Sequence, residues 1–154
     1  MHLLIALDSS PLNKRIARVL KGFLAQFSEA PLISFIHVID SRVIGTVPRY
    51  FNIGDIDMSG GSFEDEDKLI RQLRKDSRNV AEEMQEQLGV SGSVDFPMGD
   101  PCEELAEACL QKKPDLLVLG THSRKGINHF LFGNFAEKVL RRINVPLIII
   151  PEKG

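Results

Sequence analysis

The sequence predicts an α/β fold in which a doubly wound parallel sheet is covered by helices on both faces. Apolar segments of strand length alternate with amphipathic segments of helix length along the whole chain. The apolar segments are nearly continuous, which is typical of strands that are buried on both faces. The 154 residues suit one hydrophobic core, so we expect a single domain over residues 1–154.

The first strand is predicted over residues 2–7 and is followed by a helix. Ser10 has a side chain suited to an N-cap, and Pro11 suits the first helical position. The helix ends before Pro31, and the second strand is predicted over residues 32–39. The inward stripe of the helix is expected to comprise Leu12, Ile16, Val19, Leu20, Phe23 and Phe27.

Residues 40–61 are predicted to form a long connection, which is typical of functional loops. Ser62 and Asp65 suit a capping box for the second helix, which Gly89 ends. A short third strand follows over residues 93–96. The inward residues of the second helix are expected to be Leu69, Leu73, Val80, Met84 and Leu88.

The third helix has a strong start signal in Asp100, Pro101 and Glu103, which combine an N-cap, a first-turn proline and a capping box. Pro114 ends it. The fourth strand is predicted over residues 116–119, the fourth helix over 134–143 and the last strand from Leu147 to Ile150. Phe135, Val139 and Ile143 are expected to face inward on the fourth helix.

The most informative segment is the turn of residues 120–134, between a buried strand and a helix. Backbone N–H groups of a glycine-rich turn that opens a helix can bind an anion, and nearby basic residues add positive charge. We therefore predict a phosphate site; the alternative is a solvated turn that uses glycine only for its shape. The residues concerned are Gly120, Arg124, Lys125, Gly126 and Gly133.

Composition excludes several classes of function. The formal net charge of −2 does not favour nucleic acid, and no apolar stretch approaches the roughly 20 residues of a membrane span. The first eight residues lack a basic region and a cleavage site, so we expect a strand there rather than a signal peptide. Cys102 and Cys109 lie about 10 Å apart on one predicted helix, which is too far for a disulfide bond. Because unpaired cysteines are typical of reducing compartments, we expect a cytoplasmic location.

Seven segments of the chain match, in order, the motifs of one known family: residues 5–11, 37–40, 99–101, 120–122, 131–133, 136–139 and 145–146. Together they resemble the universal stress protein family over nearly the whole chain. The resemblance implies a Rossmann-like fold of the adenine nucleotide alpha hydrolase type, with five strands in the order 3-2-1-4-5. It also implies a homodimer through the last strand and an ATP site that could hold Mg²⁺ together with the nucleotide.

The resemblance also implies roles for individual residues. Asp8 would lie near the ribose or a phosphate-bound Mg²⁺, and Val38 would contact adenine through its backbone. The alternatives are that Asp8 bonds its own turn, that Val38 is ordinary core and that His122 is a surface or supporting residue. The implied nucleotide-binding set is Ala6, Leu7, Asp8, Val38, Gly99, Gly120, His122, Ser123, Arg124, Lys125, Gly133, Asn134, Phe135 and Ala136.

Two residues depart from the glycine motif of the nucleotide-binding branch of that family. Ser123 replaces the middle glycine and adds a side chain at a position where the motif implies a close approach of backbone to phosphate. Asn134 replaces a hydroxyl residue but still suits a helix cap. The sequence thus supports two hypotheses: an ATP-binding stress-response regulator with an unknown protein client, or a nucleotide-free homodimeric interaction protein of the same fold.

No catalytic motif is apparent. The chain lacks a phosphate loop of the Gly-x-x-x-x-Gly-Lys type, a Gly-x-Gly-x-x-Gly fingerprint and a Gly-x-Ser-x-Gly elbow. We therefore expect at most a slow, incidental hydrolysis of ATP.

Overall fold

The computed structural model describes residues 1–42, 63–122 and 134–152, with only the backbone described for residues 63–66 and 134. The strands are β1 (His2–Leu7), β2 (Leu32–His37), β3 (Ile39–Asp40), β4 (Ser93–Asp95), β5 (Met98–Gly99), β6 (Leu116–Thr121) and β7 (Leu147–Pro151). The helices are α1 (Leu12–Leu24), α2 (Phe63–Leu88), α3 (Pro101–Lys112) and α4 (Asn134–Leu140).

Five of the strands form one parallel sheet in the order β4-β2-β1-β6-β7. This is the order 3-2-1-4-5 of its five members along the chain, so the predicted fold class is confirmed. The order reverses beside β1, because the chain first builds outward through β2 and β4 and then returns to β6. In such sheets the crevice beyond the carboxyl ends of the strands at the reversal is the usual ligand site.

Two separate hydrophobic cores cover the two faces of this sheet. On one face α1 and α2 pack on the sheet through residues such as Ile16, Leu20 and Met84. On the other face α3 and α4 do so through Leu105, Ala136 and Val139 among others. Strand residues alternate between these cores, with Leu4 facing α3 and α4 and Ile5 facing α1 and α2.

The predicted second strand is divided in the structure. β2 ends at His37, and Ile39 and Asp40 instead pair with Met98 and Gly99 in a second, two-stranded parallel sheet. Ile39, which was predicted to end the second strand, and Gly99, which was predicted to begin the third helix, therefore both belong to a small ladder beside the crevice. Most of the predicted 40–61 connection, together with Ser62, lies outside the described residues.

Three side-chain expectations were wrong. Val19 is 44 % exposed rather than part of the inward stripe of α1, and Phe135 is 39 % exposed and lines the crevice. The Glu103 carboxylate does not close a capping box in the described chain: it accepts from Arg142 of the segment after α4. The Asp100 cap itself is confirmed, since its carboxylate accepts from the N–H groups of Cys102 and Glu103.

α1, α4 and β6 also differ from expectation. α1 ends at Leu24, before Phe27, and α4 ends at Leu140, before Ile143. α1 begins at Leu12, one residue later than predicted, although the Ser10 hydroxyl does accept from the Leu12 N–H at 3.2 Å. β6 continues through Thr121, so Gly120 belongs to the strand and not to the turn after it. Cys102 and Cys109 are both buried free thiols. In the described ranges, no helix is long and apolar enough to cross a membrane.

Candidate functional site

A cavity of about 750 Å³ opens at the carboxyl ends of β1, β2 and β6. Its apolar part is formed on the face of the sheet that α3 and α4 cover, because residues of both helices and of the strands meet there. These residues are Ala6, Ile36, Val38, Cys102, Leu105, Leu119 and Ala136. Such a surface, with polar groups around its mouth, has the character of a small-molecule site.

Asp8 lies at the mouth of this cavity, directly after β1. Its Oδ1 accepts from both the N–H (2.9 Å) and the hydroxyl (2.6 Å) of Ser10. Its Oδ2 lies 3.0 Å from the imidazole Nε2 of His122. Burial alone would raise the pKa of the Asp8 carboxyl, but the bonds from Ser10 and His122 outweigh burial and lower it. Asp8 is therefore an anion at neutral pH.

His122 follows β6 and stands between two carboxylates. Its Nε2 faces Asp8, and its Nδ1 lies 3.5 Å from Oε2 of Glu152, the residue after β7. The hydrogen bond to Asp8 raises the pKa of His122, and Glu152 raises it further, whereas partial burial acts in the opposite direction. The arrangement favours an imidazolium because both ring nitrogens can then donate.

His37 ends β2 and is buried beside the same mouth. Its Nε2 lies 3.4 Å from the Ser9 hydroxyl, and its Nδ1 has no hydrogen-bond partner among the described residues. Burial lowers the pKa of His37, while the nearby charge of Asp8 opposes that shift. The ring is therefore held neutral, in contrast to the ring of His122.

Three basic residues on the cavity wall were missed by the sequence analysis: Arg42, Lys138 and Arg142. Arg42 is held by Asp40, and Arg142 lies 3.3 Å from Glu103, while Lys138 makes no ion pair with any described residue. Their convergence depends on tertiary packing, including that of α4 against α3. The sequence offers one signal: the four-residue spacing of Lys138 and Arg142 places both on one side of the predicted 134–143 helix. In the structure α4 ends at Leu140, and Arg142 lies just beyond it.

Comparison with known proteins agrees with this architecture. The family model described as "Universal stress protein family" matches residues 1–151. The chain belongs to the universal stress protein family.

Among curated relatives, universal stress protein MJ0577 of Methanocaldococcus jannaschii is 24 % identical over 131 residues, which cover 82 % of this chain and 80 % of that protein. Universal stress protein MJ0531 of the same organism is 29 % identical over 90 residues, which cover 58 % of this chain. That match spans about half (53 %) of the length of MJ0531.

Solved structures show the same fold. The structure of MJ0577 superposes with a TM-score of 0.74 at 22 % identity, covering 99 % of this chain and 96 % of that one. A universal stress protein in complex with cAMP gives 0.59 at 16 % identity, covering 99 % and 98 % of the two chains. The universal stress protein from Archaeoglobus fulgidus in complex with dAMP gives 0.60 at 16 % identity, covering 97 % of each chain.

The structure brings together eight of the predicted site residues of this universal stress protein. They line one cavity and are Ala6, Leu7, Asp8, Val38, Gly120, His122, Phe135 and Ala136. Gly99 is not among the residues that line the cavity. It lies against the Glu104 side chain, which a Cβ at this position would meet. Ser123, Arg124, Lys125 and Gly133 lie outside the described residues, as does the side chain of Asn134.

The described residues do not fit a resident magnesium site. No group of three metal-ligating side chains occurs among them. Both oxygens of Asp8 are already engaged, one with Ser10 and the other with His122. A magnesium ion at Asp8 would therefore have to displace one of these contacts and take most of its ligands from elsewhere. The expectation that Asp8 assists a phosphate-bound Mg²⁺ stays a prediction.

Proposed function

We propose that this universal stress protein binds an adenine nucleotide, with ATP as the expected ligand, in the crevice between Asp8 and Gly120. The observation that carries the proposal is the cavity of about 750 Å³, which combines an apolar wall with charged groups at the reversal of strand order. Relatives of the same fold that are described in complex with cAMP and with dAMP support an adenine-containing ligand.

The chemistry of the cavity suits the parts of a nucleotide. A flat purine matches the apolar wall around Val38 and Leu119. The family resemblance adds a contact from the Val38 backbone to the adenine. The Asp8 carboxylate is an acceptor for a ribose hydroxyl. Phosphates would then extend toward the 120–134 turn, whose Arg124 and Lys125 predict an anion site, and toward the ammonium of Lys138, which has no ion-pair partner among the described residues.

The proposed role is regulatory rather than catalytic. His122 is tied to two carboxylates, and His37 is buried, so neither ring is placed as a free general base in the described part of the site. Binding of ATP would shift the conformation or assembly of a homodimer in the cytoplasm, with an unknown protein client. Any hydrolysis of ATP would be slow and incidental.

The proposed homodimer forms through β7. β7 is the last strand of the five-stranded sheet and pairs only with β6 in the described chain, so one side of its backbone is open. Isologous pairing with the same strand of a second copy would close that edge.

The second candidate function is that of a nucleotide-free interaction protein of the same fold. The presence of Ser123 in place of the middle glycine of the motif favours it. A side chain at the middle position of the glycine motif would crowd a phosphate. Under this alternative the protein still dimerises through β7 and acts through its surface.

Calorimetry with ATP, AMP and GTP separates the two candidates. We expect ATP to bind with a dissociation constant on the order of micromolar, near −8 kcal/mol, and GTP to bind more weakly. If Ser123 only crowds the phosphates, Ser123→Gly tightens binding, and Gly133→Val abolishes it without unfolding. No heat from wild type or Ser123→Gly would favour the nucleotide-free candidate. Mass spectrometry of ligand released from the native protein is an independent measurement.

A further inference from the structure

Glu152 is not part of the cavity wall, yet it contacts the cavity through His122. It is the first residue after β7, and its N–H donates to the carbonyl of Thr121 at 2.9 Å. This bond continues the β6–β7 ladder by one residue and fixes where the Glu152 side chain starts. The side chain then reaches Nδ1 of His122 at 3.5 Å.

The three charged groups lie at the ends of three neighbouring strands. Asp8 follows β1, His122 follows β6 and Glu152 follows β7, and these strands are adjacent in the sheet. The imidazole thus has one carboxylate on each ring nitrogen. All three side chains are about half exposed, so the contacts can change when a ligand arrives.

The geometry points to Glu152 as a positioning residue of the proposed nucleotide site, which holds His122 charged and directed at Asp8. This inference rests on the proposed nucleotide binding. An anionic ligand that approaches Asp8 would meet a bare carboxylate if His122 were neutral or turned away. With His122 charged, the negative charge of Asp8 is balanced at the mouth of the cavity.

The proposed role of Glu152 predicts that its effect on ATP binding depends on pH. The charged and titratable groups around His122 in the described chain are Asp8 after β1, Glu152 after β7 and, beyond Asp8, His37 at the end of β2. Removing the Glu152 charge makes the His122 imidazolium easier to deprotonate. It also removes a negative charge near an anionic ligand, so it does not weaken binding while His122 stays charged.

The test compares Glu152→Gln with wild type, using Glu137→Gln as the matched control. Glu137 of α4 is similarly exposed, but it pairs with Arg141 just after that helix and does not line the cavity. Dissociation constants for ATP are measured from pH 6 to pH 8, and the ratio of variant to wild type cancels the titration of ATP itself. The His122 ring is titrated by NMR in the absence of nucleotide, with His122→Gln assigning its signal.

We expect a lower pKa for His122 in Glu152→Gln than in wild type. The ratio of dissociation constants should be near one at pH 6 and rise to about two- to fivefold where wild-type His122 is charged and the variant ring is neutral. Glu137→Gln should give a ratio near one throughout. An unchanged pKa of His122, or equal weakening at every pH, would overturn the inference.

Failure of the nucleotide proposal gives a different result. If wild type binds no ATP at any pH, nucleotide binding by this chain is wrong, and the role of Glu152 in that binding falls with it. The NMR titration then still decides whether Glu152 controls the charge of His122.

Discussion

The imidazole of His122 lies 3.0 Å from the carboxylate of Asp8, although 114 residues separate them in the chain. Parallel pairing of β1 with β6 brings the carboxyl ends of the two strands together. Each residue was a candidate for the site on separate grounds, and the structure shows that they form one unit. Because both side chains are about half exposed, the pair contributes no more than about 1 kcal/mol to stability.

Replacing Asp8 should change stability in a way that depends on pH. The pKa of Asp8 lies below its ordinary value of 3.8. Its stabilising contribution is therefore fully present above pH 3.8 and is lost as pH falls through the lower, folded-state value. Asp8→Asn should be less stable than wild type at pH 6, with the difference disappearing in strong acid. Urea unfolding at several pH values measures this.

Asp76→Asn is the control for that experiment, since it alters an exposed carboxylate on α2. The Asp76 variant should be about as stable as wild type at pH 6. A constant difference between Asp8→Asn and wild type down to pH 2 would contradict the assignment of a charged, hydrogen-bonded Asp8.

His37 and His122 should have opposite effects on stability near pH 6.5. Burial lowers the pKa of His37, so its contribution is present above pH 6.5 and falls as pH drops through the folded-state value. Asp8 raises the pKa of His122, so its contribution is present below pH 6.5 and is lost as pH rises through the folded-state value.

As pH falls from 6.5 to 5, His37→Gln should therefore lose less stability than wild type does. As pH rises from 6.5 to 8, His122→Gln should lose less stability than wild type does. Thermal unfolding followed by circular dichroism measures both slopes. Parallel curves for wild type and both variants would show that neither ring has the charge state described.

Gly120 is needed for packing as well as for any role in binding. A Cβ at this position would lie 2.5 Å from Cδ2 of Leu12 and 2.9 Å from Cδ1 of Ile16, both on α1. Gly120→Ala should destabilise the fold by about 1–3 kcal/mol through overpacking, even without ligand. Gly22→Ala is the matched control, because a Cβ at Gly22 in α1 meets nothing within 4 Å.

The Gly22 variant should be more stable than wild type by roughly 0.5–1 kcal/mol, since alanine is the better helix former. Urea unfolding gives both values. A Gly120→Ala protein as stable as wild type would mean that α1 can move away from β6 at no cost.

Local signals were predictable from the sequence, and long-range arrangements were not. Asp100 and Pro101 define the start of α3 because a cap acts on N–H groups two and three residues away. The sheet order followed from the family resemblance. The β3–β5 ladder was missed, since Ile39 meets Met98 only through tertiary pairing that no local pattern encodes.

The same limit applies to the site. Asp8 directly follows β1, whose end was recognisable, so its place at the carboxyl edge of the sheet was predictable. Ala6, within β1, and Val38, after β2, were expected at the site only from the family resemblance. Arg142 reaches the cavity from beyond the end of α4, and its position depends on the packing of α4 against α3. Gly120 was interpreted as turn punctuation or a phosphate contact, whereas its contact with Leu12 requires the packed α1.

The proposed dimer can be tested at β7, the edge strand of the sheet in the described chain. Ile149→Lys places a charge in that strand and should shift a dimer toward monomer in sedimentation at micromolar concentration. Ile149 also packs against the core that α3 and α4 cover, so circular dichroism must show that the variant is folded. Val19→Lys, at an exposed apolar position on α1, is the control. A purely monomeric wild type would exclude the dimer.

Lys138 is the basic wall residue whose loss should most directly weaken nucleotide binding. It lines the cavity and has no ion-pair partner in the described chain, unlike Arg42 and Arg142. Its ammonium is therefore available to a phosphate without first breaking another contact. Lys138→Ala should weaken ATP binding about three- to tenfold, or roughly 0.7–1.4 kcal/mol.

Arg141→Ala is the matched control, because Arg141 is three residues further along and is paired with Glu137. It should leave ATP affinity within about twofold of wild type. The loss in Lys138→Ala should be greater for ATP than for AMP, and it should shrink as salt screens the ammonium from the phosphates. Equal effects of the two substitutions would indicate that only the overall charge of the protein matters. An effect of Lys138→Ala that is independent of salt would indicate that the side chain supports the cavity wall rather than a phosphate.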